Sequence, residues 1–245
     1  MDKVSVVIIT LNEENNIERC LKSVTWADEI VILDAFSQDR TVEICRQYTD
    51  LVFQEKWLGF GKQKNLAAEK ASNRWILNLD ADELISEKCS LAIRRELASG
   101  HKCEVYRFPR KNFFGDRWIR FGGWYPDWTY RLYDKNCVVF SESKVHERLE
   151  PVTKSGSINC PIEHYSYKSL EEYVSRQNKY STFSAEEKVK RGQIAGWSDL
   201  LFRPPAAFIK TYFLQKGYRE GFLGFCLSSS SAFYTFLKYA KTRFH

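Results

Sequence analysis

The stretch Trp75-Ile76-Leu77-Asn78-Leu79-Asp80-Ala81-Asp82-Glu83 carries an apolar run straight into two carboxylates one residue apart, with a third directly behind. A buried strand that ends in acids delivers them to the rim of a sheet, and open α/β folds bind ligands outside the carboxyl ends of their strands. Acids there suit a hard divalent cation, because Mg²⁺ or Mn²⁺ is held by one or two carboxylates together with a substrate's phosphates. The plainer reading is a surface Asp-x-Asp turn. What separates the two is whether other strands bring polar groups to the same edge.

They are expected to. Residues 4–11 are β-branched and almost wholly apolar, the mark of a strand covered on both faces. Asn12 is placed to cap a helix in which Ile17, Cys20, Leu21 and Val24 recur at helical spacing. Residues 29–34 form a second buried strand ending in Asp34, Asp39 caps a short helix running to Tyr48, and residues 51–53 make a third strand. A loop bracketed by Gly59 and Gly61 opens a helix over residues 62–71. Strand and helix in alternation argue for parallel βαβ units with right-handed crossovers. In such a sheet the clusters Thr10-Leu11-Asn12-Glu13, Asp34 and Asp80-Ala81-Asp82 converge on one crevice. No glycine-rich phosphate loop follows the first strand. Asn12-Glu13-Glu14 would repel phosphate, so a nucleotide's phosphates are expected to be reached through a metal at Asp80 and Asp82.

Beyond residue 86 the pattern changes. Residues 91–97 read as helix, and residues 104–108 and 130–133 as strands. Between those strands, residues 112–128 are rich in glycine and aromatics without a period, as binding loops are. A polar helix is expected over residues 169–190, and Arg203-Pro204-Pro205 marks a break. The rest is rich in Phe and Tyr. Of the net charge of +6, residues 210–245 supply most, with Glu220 the lone acid there. The excess suits nucleotide phosphates or an anionic membrane surface, and nucleic acid ranks last because no nucleic-acid-binding signature is present.

At 245 residues, one domain with a smaller appendage is expected. The seven cysteines are scattered without a Cys-x-x-Cys pair, and read as small buried hydrophobes in a reducing compartment. Met1-Asp2-Lys3 leads directly into a strand rather than a secretory signal, and no apolar window reaches eighteen residues. The expected location is cytoplasmic.

Ser5-Val6-Val7-Ile8-Ile9-Thr10-Leu11-Asn12-Glu13-Glu14, the strand ending at Asp34 with Ser37-Gln38-Asp39-Arg40-Thr41 after it, and Leu79-Asp80-Ala81-Asp82-Glu83 resemble the family 2 glycosyltransferases of the GT-A fold. The likeness holds in order and spacing over residues 1–100. Gly122-Gly123-Trp124-Tyr125-Pro126-Asp127-Trp128, Arg131-Leu132-Tyr133, Val145-His146-Glu147, the 173–192 helix and Arg203-Pro204-Pro205 resemble the bacterial lipopolysaccharide core β-1,4-glucosyltransferase branch. The resemblance implies an α/β fold: a Rossmann-like, mixed, mainly parallel sheet flanked by helices, with a C-terminal helical extension. It implies a catalytic domain over residues 1–165, divided into a nucleotide-sugar half (1–100) and an acceptor half (101–165), followed by the extension 166–245. The implied donor is a UDP-sugar, with glucose the expected hexose, and the implied acceptor is a heptose or related sugar of a lipid-linked core.

By the same resemblance Thr10, Asn12 and Glu13 line the uridine pocket and Asp34 accepts from the uracil ring. Asp80 meets ribose and metal, and Asp82 holds the metal against the diphosphate. Lys62, Gln63 and Asn65 stand at the start of a helix from which they can reach the nucleotide, or else form a solvated first turn. Departure of a nucleoside diphosphate needs charge neutralisation, which a cation supplies. The acceptor hydroxyl needs a base, and a single displacement inverts the anomeric centre. Glu147 stands about where the family places that carboxylate, although many relatives carry Glu-Asp where this chain has His146-Glu147. Asp127 in the aromatic loop is the rival. His146 is a metal or phosphate partner or a hydrogen-bonded structural residue. Trp124, Tyr125 and Trp128 stack on acceptor rings or plug the core, and Arg131 pairs with a phosphate or anchors a carboxylate.

The aromatic and basic tail fits interfacial helices on the anionic inner face of the cytoplasmic membrane, and equally helices packed on the catalytic domain or on a second copy. Two other functions share parts of this pattern. A nucleotidyltransferase would want a basic, glycine-rich loop where Asn12-Glu13-Glu14 stands. A non-catalytic sugar-nucleotide-binding scaffold at the membrane would bind UDP with Mn²⁺ and transfer nothing.

Overall fold

The computed structural model describes residues 2–100, 103–141 and 148–244. The chain divides into two compact units, one of residues 1–110 and 128–164, the other of residues 111–127 and 165–245. The first unit opens with β1 (Val4–Thr10), α1 (Ile17–Ser23), β2 (Glu29–Asp34), α2 (Thr41–Cys45), β3 (Val52–Gln54), α3 (Phe60–Lys70) and β4 (Trp75–Asp80). After it come β5 (Glu83–Leu84), α4 (Glu87–Ala98), β6 (Val105–Phe114), β7 (Arg117–Trp118), β8 (Asp127–Asp134), β9 (Val139–Phe140), β10 (Leu149–Glu150), β11 (Ser155–Ser157) and β12 (Ile162–Tyr167). The chain ends in α5 (Leu170–Lys190), α6 (Trp197–Ile209) and α7 (Gly221–Lys241), with a π turn (Lys210–Leu214) and a 3₁₀ turn (Gly217–Glu220) between the last two.

The sheet order is β3-β2-β1-β4-β8-β6-β12-β5, with β11 and β7 also paired to β6, while β9 and β10 form a separate pair. The β3-β2-β1-β4 portion is parallel and β8 joins β4 antiparallel, so the sheet is mixed, as expected. Every residue of β1 is buried, which is why its sequence runs apolar rather than alternating. The two-residue period still sorts its side chains. Val4, Val6 and Ile8 join Ile17, Leu21 and Ile93 of α1 and α4 in one core. Val7 and Ile9 join Ala67 and Ala68 of α3 in the other. Helices thus cover both faces, and the strand ends are left as the open edge.

In the second unit, Ile119, Tyr173 and Leu227 form a core, with Phe114, Trp124, Tyr167 and Leu223 packed against it. Ser169 caps α5, its hydroxyl accepting from Glu172 N at 3.1 Å. The proline pair does not break the chain: α6 runs through Pro204 and Pro205. Proline removes two N–H donors but suits helical φ, and no residue of α6 is buried, so water can serve the carbonyls left over. Asn12 caps nothing either. The helix after it is preceded by Asn16, while Asn12 takes φ 55° and turns its side chain toward the next loop. Of the cysteines, Cys20, Cys45, Cys89 and Cys160 are buried as expected, whereas Cys137 is exposed and donates to Asp134 Oδ2 at 3.3 Å.

Candidate active site

The register of the parallel strands aligns the polar strand ends. Thr10 sits opposite Asp34 and Ile9 opposite Asp80. Thr10, Asp34 and Asp80 therefore share one edge of the first unit. The two loops at that edge are laced together by side chains from the motifs singled out in the sequence. Asn12 N donates to Ser37 Oγ at 2.8 Å, and Gln38 N returns a 2.8 Å bond to Asn12 Oδ1. Glu13 N donates to Thr41 Oγ1 at 2.8 Å and Glu14 N to Asp39 Oδ2 at 3.1 Å. Each loop satisfies the other's backbone where no strand partner is available.

Asp34, expected to accept from uracil, is fully buried. Its oxygens accept from Thr10 Oγ1 (3.0 Å), Ser37 N (2.9 Å), Gln54 Nε2 (3.1 Å) and Ser37 Oγ. A carboxylate so supplied with donors fixes the loop after β2, and its lone pairs are already spent. Gln63 is likewise buried rather than turned to a ligand, accepting from Leu58 N and donating to Glu55 O. Asn65 clamps β9, with its amide bonded both ways to the Phe140 main chain at 2.8 Å. Lys62 is exposed.

The acidic triplet divides its labour. Glu83 is fully buried. Its Oε2 accepts from Asp80 N at 3.2 Å and its Oε1 from Arg131 Nη2 at 2.5 Å and Arg110 Nη1 at 3.4 Å. Arg131, also buried, bonds Asp80 Oδ2 with the same nitrogen, and Lys64 Nζ stands 3.5 Å from Asp80 Oδ1. Arg131 therefore takes the carboxylate-anchoring role of the two weighed for it. Burial would raise the Asp80 carboxyl, but the charges of Arg131, Lys64, Arg110 and His164 outweigh it and hold the group well below the usual carboxylate range. Burial acts to lower Arg131, and Asp80 and Glu83 more than offset it, leaving the guanidinium above its ordinary value.

Asp82 lies on the turn between β4 and β5. Antiparallel pairing of β12 with β5 sets His164 opposite Glu83, which brings His164 Nε2 to 3.4 Å from Asp82 Oδ2. Among the described residues no group of three or more His, Cys, Asp or Glu is placed to hold a metal ion by itself. Mg²⁺ or Mn²⁺ is commonly held by one or two carboxylates with a substrate's phosphates completing the shell, and Asp80 and Asp82 are the carboxylates at this edge. Lys64 and His164 had no role in the sequence reading. The signal for Lys64 was present, since it falls on the helical face of the buried Ala67, Ala68 and Ala71.

Trp128 is exposed in the first unit, with the Arg107 guanidinium 4.9 Å from its ring. In the second unit Trp124 packs on Tyr167 and Tyr173, and Tyr125 lies edge-on to Trp118 at 5.3 Å. Asn112 Nδ2 donates to Asp127 Oδ2 at 3.1 Å and to Trp124 O at 3.2 Å. His146 and Glu147 lie outside the described residues.

Residues 5–152 match the family model described as glycosyl transferase family 2. The chain belongs to the family 2 glycosyltransferases. It is 30% identical over 250 residues to the lipopolysaccharide core biosynthesis glycosyltransferase LpsC of Rhizobium meliloti (strain 1021), covering 97% of this chain and 91% of that one. Among solved structures it is similar to the mannosyltransferase PcManGT of Pyrobaculum calidifontis in complex with GDP-Man and Mn²⁺. That likeness has a TM-score of 0.60 at 13% identity over 99% of this chain and 87% of the other. It is also similar to the glucosyl-3-phosphoglycerate synthase of Mycobacterium tuberculosis in complex with Mn²⁺, UDP and glucosyl-3-phosphoglycerate, with a TM-score of 0.50 and 17% identity over 80% and 82% of the two chains. At these identities the likeness establishes the GT-A fold of the family. One neighbour holds a guanosine donor and the other uridine diphosphate, so the fold alone does not choose the base.

Proposed function

We propose that this family 2 glycosyltransferase moves a hexose, glucose by expectation, from a UDP-sugar to a saccharide of a lipid-linked lipopolysaccharide core, inverting the anomeric centre. The observation that carries the reading is the alignment of Thr10, Asp34 and Asp80 along one sheet edge, with Asp82 and His164 at the turn beyond it. The core-biosynthesis relative supports the acceptor class. Asp80 and Asp82, the latter with His164 beside it, would hold a divalent cation, Mg²⁺ or Mn²⁺, together with the donor's phosphates, and the cation when bound neutralises the departing diphosphate. Arg131 and Lys64 keep Asp80 ionised for that purpose. Asn12, Glu13 and Lys62 carry the more accessible polar groups of the nucleotide set, Thr10 lying buried behind them.

The base that takes the acceptor proton is a carboxylate, Glu147 or Asp127, with His146 beside the former. Turnover of UDP-glucose with heptose-terminated lipopolysaccharide, with and without Mn²⁺, tests the function. Glu147→Gln should leave UDP affinity intact and cut turnover about a hundredfold, as loss of a general base does. If Asp127→Asn has that effect and Glu147→Gln is mild, the base is Asp127. Wild-type protein that binds UDP with Mn²⁺ but neither hydrolyses nor transfers any UDP-sugar overturns the enzymatic reading in favour of the scaffold.

Peripheral contact with an anionic leaflet, on the cytoplasmic face, is part of the same reading. Among the described residues no helix is long and apolar enough to cross a membrane. Trp197, Leu201 and Phe202 of α6 are nevertheless 72%, 62% and 72% exposed. Arg203, Lys210 and Lys216 follow along the same segment. Apolar side chains with basic neighbours suit an interface of acyl chains and anionic headgroups. Replacing Trp197, Leu201 and Phe202 together by serine should abolish co-sedimentation with anionic phospholipid vesicles and spare UDP-sugar hydrolysis. Undiminished co-sedimentation would refute membrane contact through α6.

A further inference from the structure

Glu220 is the lone acid of residues 210–245, and only 5% of it is exposed. It ends the 3₁₀ turn before α7, and its carboxylate is aimed at the loop that follows β7 in the same unit. Oε1 accepts from Arg120 N at 2.8 Å and Phe121 N at 3.1 Å. Oε2 accepts from Arg117 Nη2 at 2.9 Å, and the same nitrogen reaches the Glu220 main-chain oxygen at 2.9 Å. One residue further on, Gly122 N donates to Gln215 O at 2.9 Å. Gly123 follows at φ +83°, and a Cβ there would meet Gln215 Oε1 at 2.6 Å. The Gly122-Gly123 pair is therefore the place where the loop lies against the C-terminal segment.

The far end of the loop is held by Asn112, through Trp124 O and Asp127 Oδ2. Residues 117–127 are thus fastened at both ends. A cavity of about 70 Å³ remains behind the loop, bordered by Trp124, Tyr173, Glu220 and Ser228. Hydrogen bonds from backbone N–H groups to a buried carboxylate are about twice as strong as neutral ones. An acid in a basic, aromatic tail is thereby accounted for by the loop it holds.

We infer that Glu220 is a positioning residue for acceptor use: it sets the shape of the loop carrying Tyr125 and Asp127, so that the C-terminal segment governs the acceptor side of the reaction. The inference rests on the proposal that this loop meets the acceptor. The test uses the full chain as wild type, Glu220→Gln, Glu220→Ala and Arg117→Met. UDP-glucose hydrolysis in Mn²⁺, transfer to heptose-terminated lipopolysaccharide in vesicles, and amide exchange of residues 117–123 are measured side by side. Loss of hydrogen bonds to a charged group should raise the acceptor KM about tenfold in Glu220→Ala, and less in Glu220→Gln, which keeps one acceptor oxygen. Amide exchange at residues 120–122 should quicken, while hydrolysis and Mn²⁺-dependent UDP binding stay at wild-type levels. Equal losses in hydrolysis and transfer, or unchanged KM with unchanged exchange, overturn it. If the wild type itself neither hydrolyses nor transfers, the functional reading has failed separately, and unaltered exchange in the variants would still sink the positioning role.

Discussion

Arg131→Met should cost about 3–5 kcal/mol of folding stability, because breaking a buried ion pair leaves an uncompensated charge in a low dielectric. Arg131 is buried, and its Nη2 serves both Asp80 and the fully buried Glu83. Methionine fills much of the volume and supplies none of the donors. Against a typical total of about 5–15 kcal/mol the loss is large, and a urea midpoint measured beside the wild type reads it directly. Arg131→Lys should fall in between, since an ammonium keeps the charge but cannot serve both carboxylates through one nitrogen and face Asn78 Oδ1 through a second, as Nη2 and Nη1 do.

The loss should also depend on pH. In the wild type the Asp80 carboxyl is held well below its ordinary value, so its contribution is fully present above the ordinary carboxylate range and is lost only as pH falls below that range toward the depressed value. With Arg131 gone, desolvation is opposed by less positive charge and the Asp80 carboxyl moves upward. The variant is then penalised at pH 7, and the two proteins should converge only on acidification below the ordinary carboxylate range, where Asp80 takes up a proton in the wild type as well. A stability difference below about 1 kcal/mol at pH 7 would mean that the network is a surface pair of ordinary worth.

That network marks where the sequence stops being readable. The edge itself was legible: apolar strands ending in Thr10, Asp34 and Asp80 predict a parallel sheet that aligns them, and the register does so. What each side chain does there was not, because it depends on partners outside its own motif, some a few residues away and others far along the chain. Asp34 and Gln63 are polar residues at a promising edge, yet their donors and acceptors are consumed internally. Asn12 and Glu13 spend their main-chain N–H groups on lacing two loops. Lys64 lies on the buried face of α3 with Ala67 and Ala68, where a lysine reads as a misfit unless its distant partner Asp80 is known. His164 reaches Asp82 only through a strand pairing across some eighty residues, which no local pattern encodes. Pro204 and Pro205 misled in the opposite direction, since a helix with no buried residue tolerates the lost donors.

Asp82→Ala should abolish cation-dependent donor binding while leaving the fold intact. The Asp82 side chain is 15% exposed, and the ion pair it makes is with His164, itself 16% exposed. Removing it strips a ligand, while the neighbouring Asp80 carboxylate remains as a counter-charge for His164. Wild-type protein at UDP about a hundredfold above Kd should gain about 2.7 kcal/mol of stability in the presence of Mn²⁺. For a chain of this size that is a rise of about 5–10 °C in Tm. Asp82→Ala should show no such rise at any Mn²⁺ concentration, and its UDP-sugar hydrolysis should drop about a thousandfold, the scale of losing several kcal/mol of Lewis-acid stabilisation. His164→Ala should keep a weakened response, with Mn²⁺ affinity down about 10–100-fold, as loss of a group that ligates or orients a ligand produces. An Asp82→Ala protein whose Tm still climbs with UDP and Mn²⁺ would place the cation elsewhere. The acidic turn after β4 would then be a structural corner, held by Glu83 and Arg131 and owing nothing to catalysis.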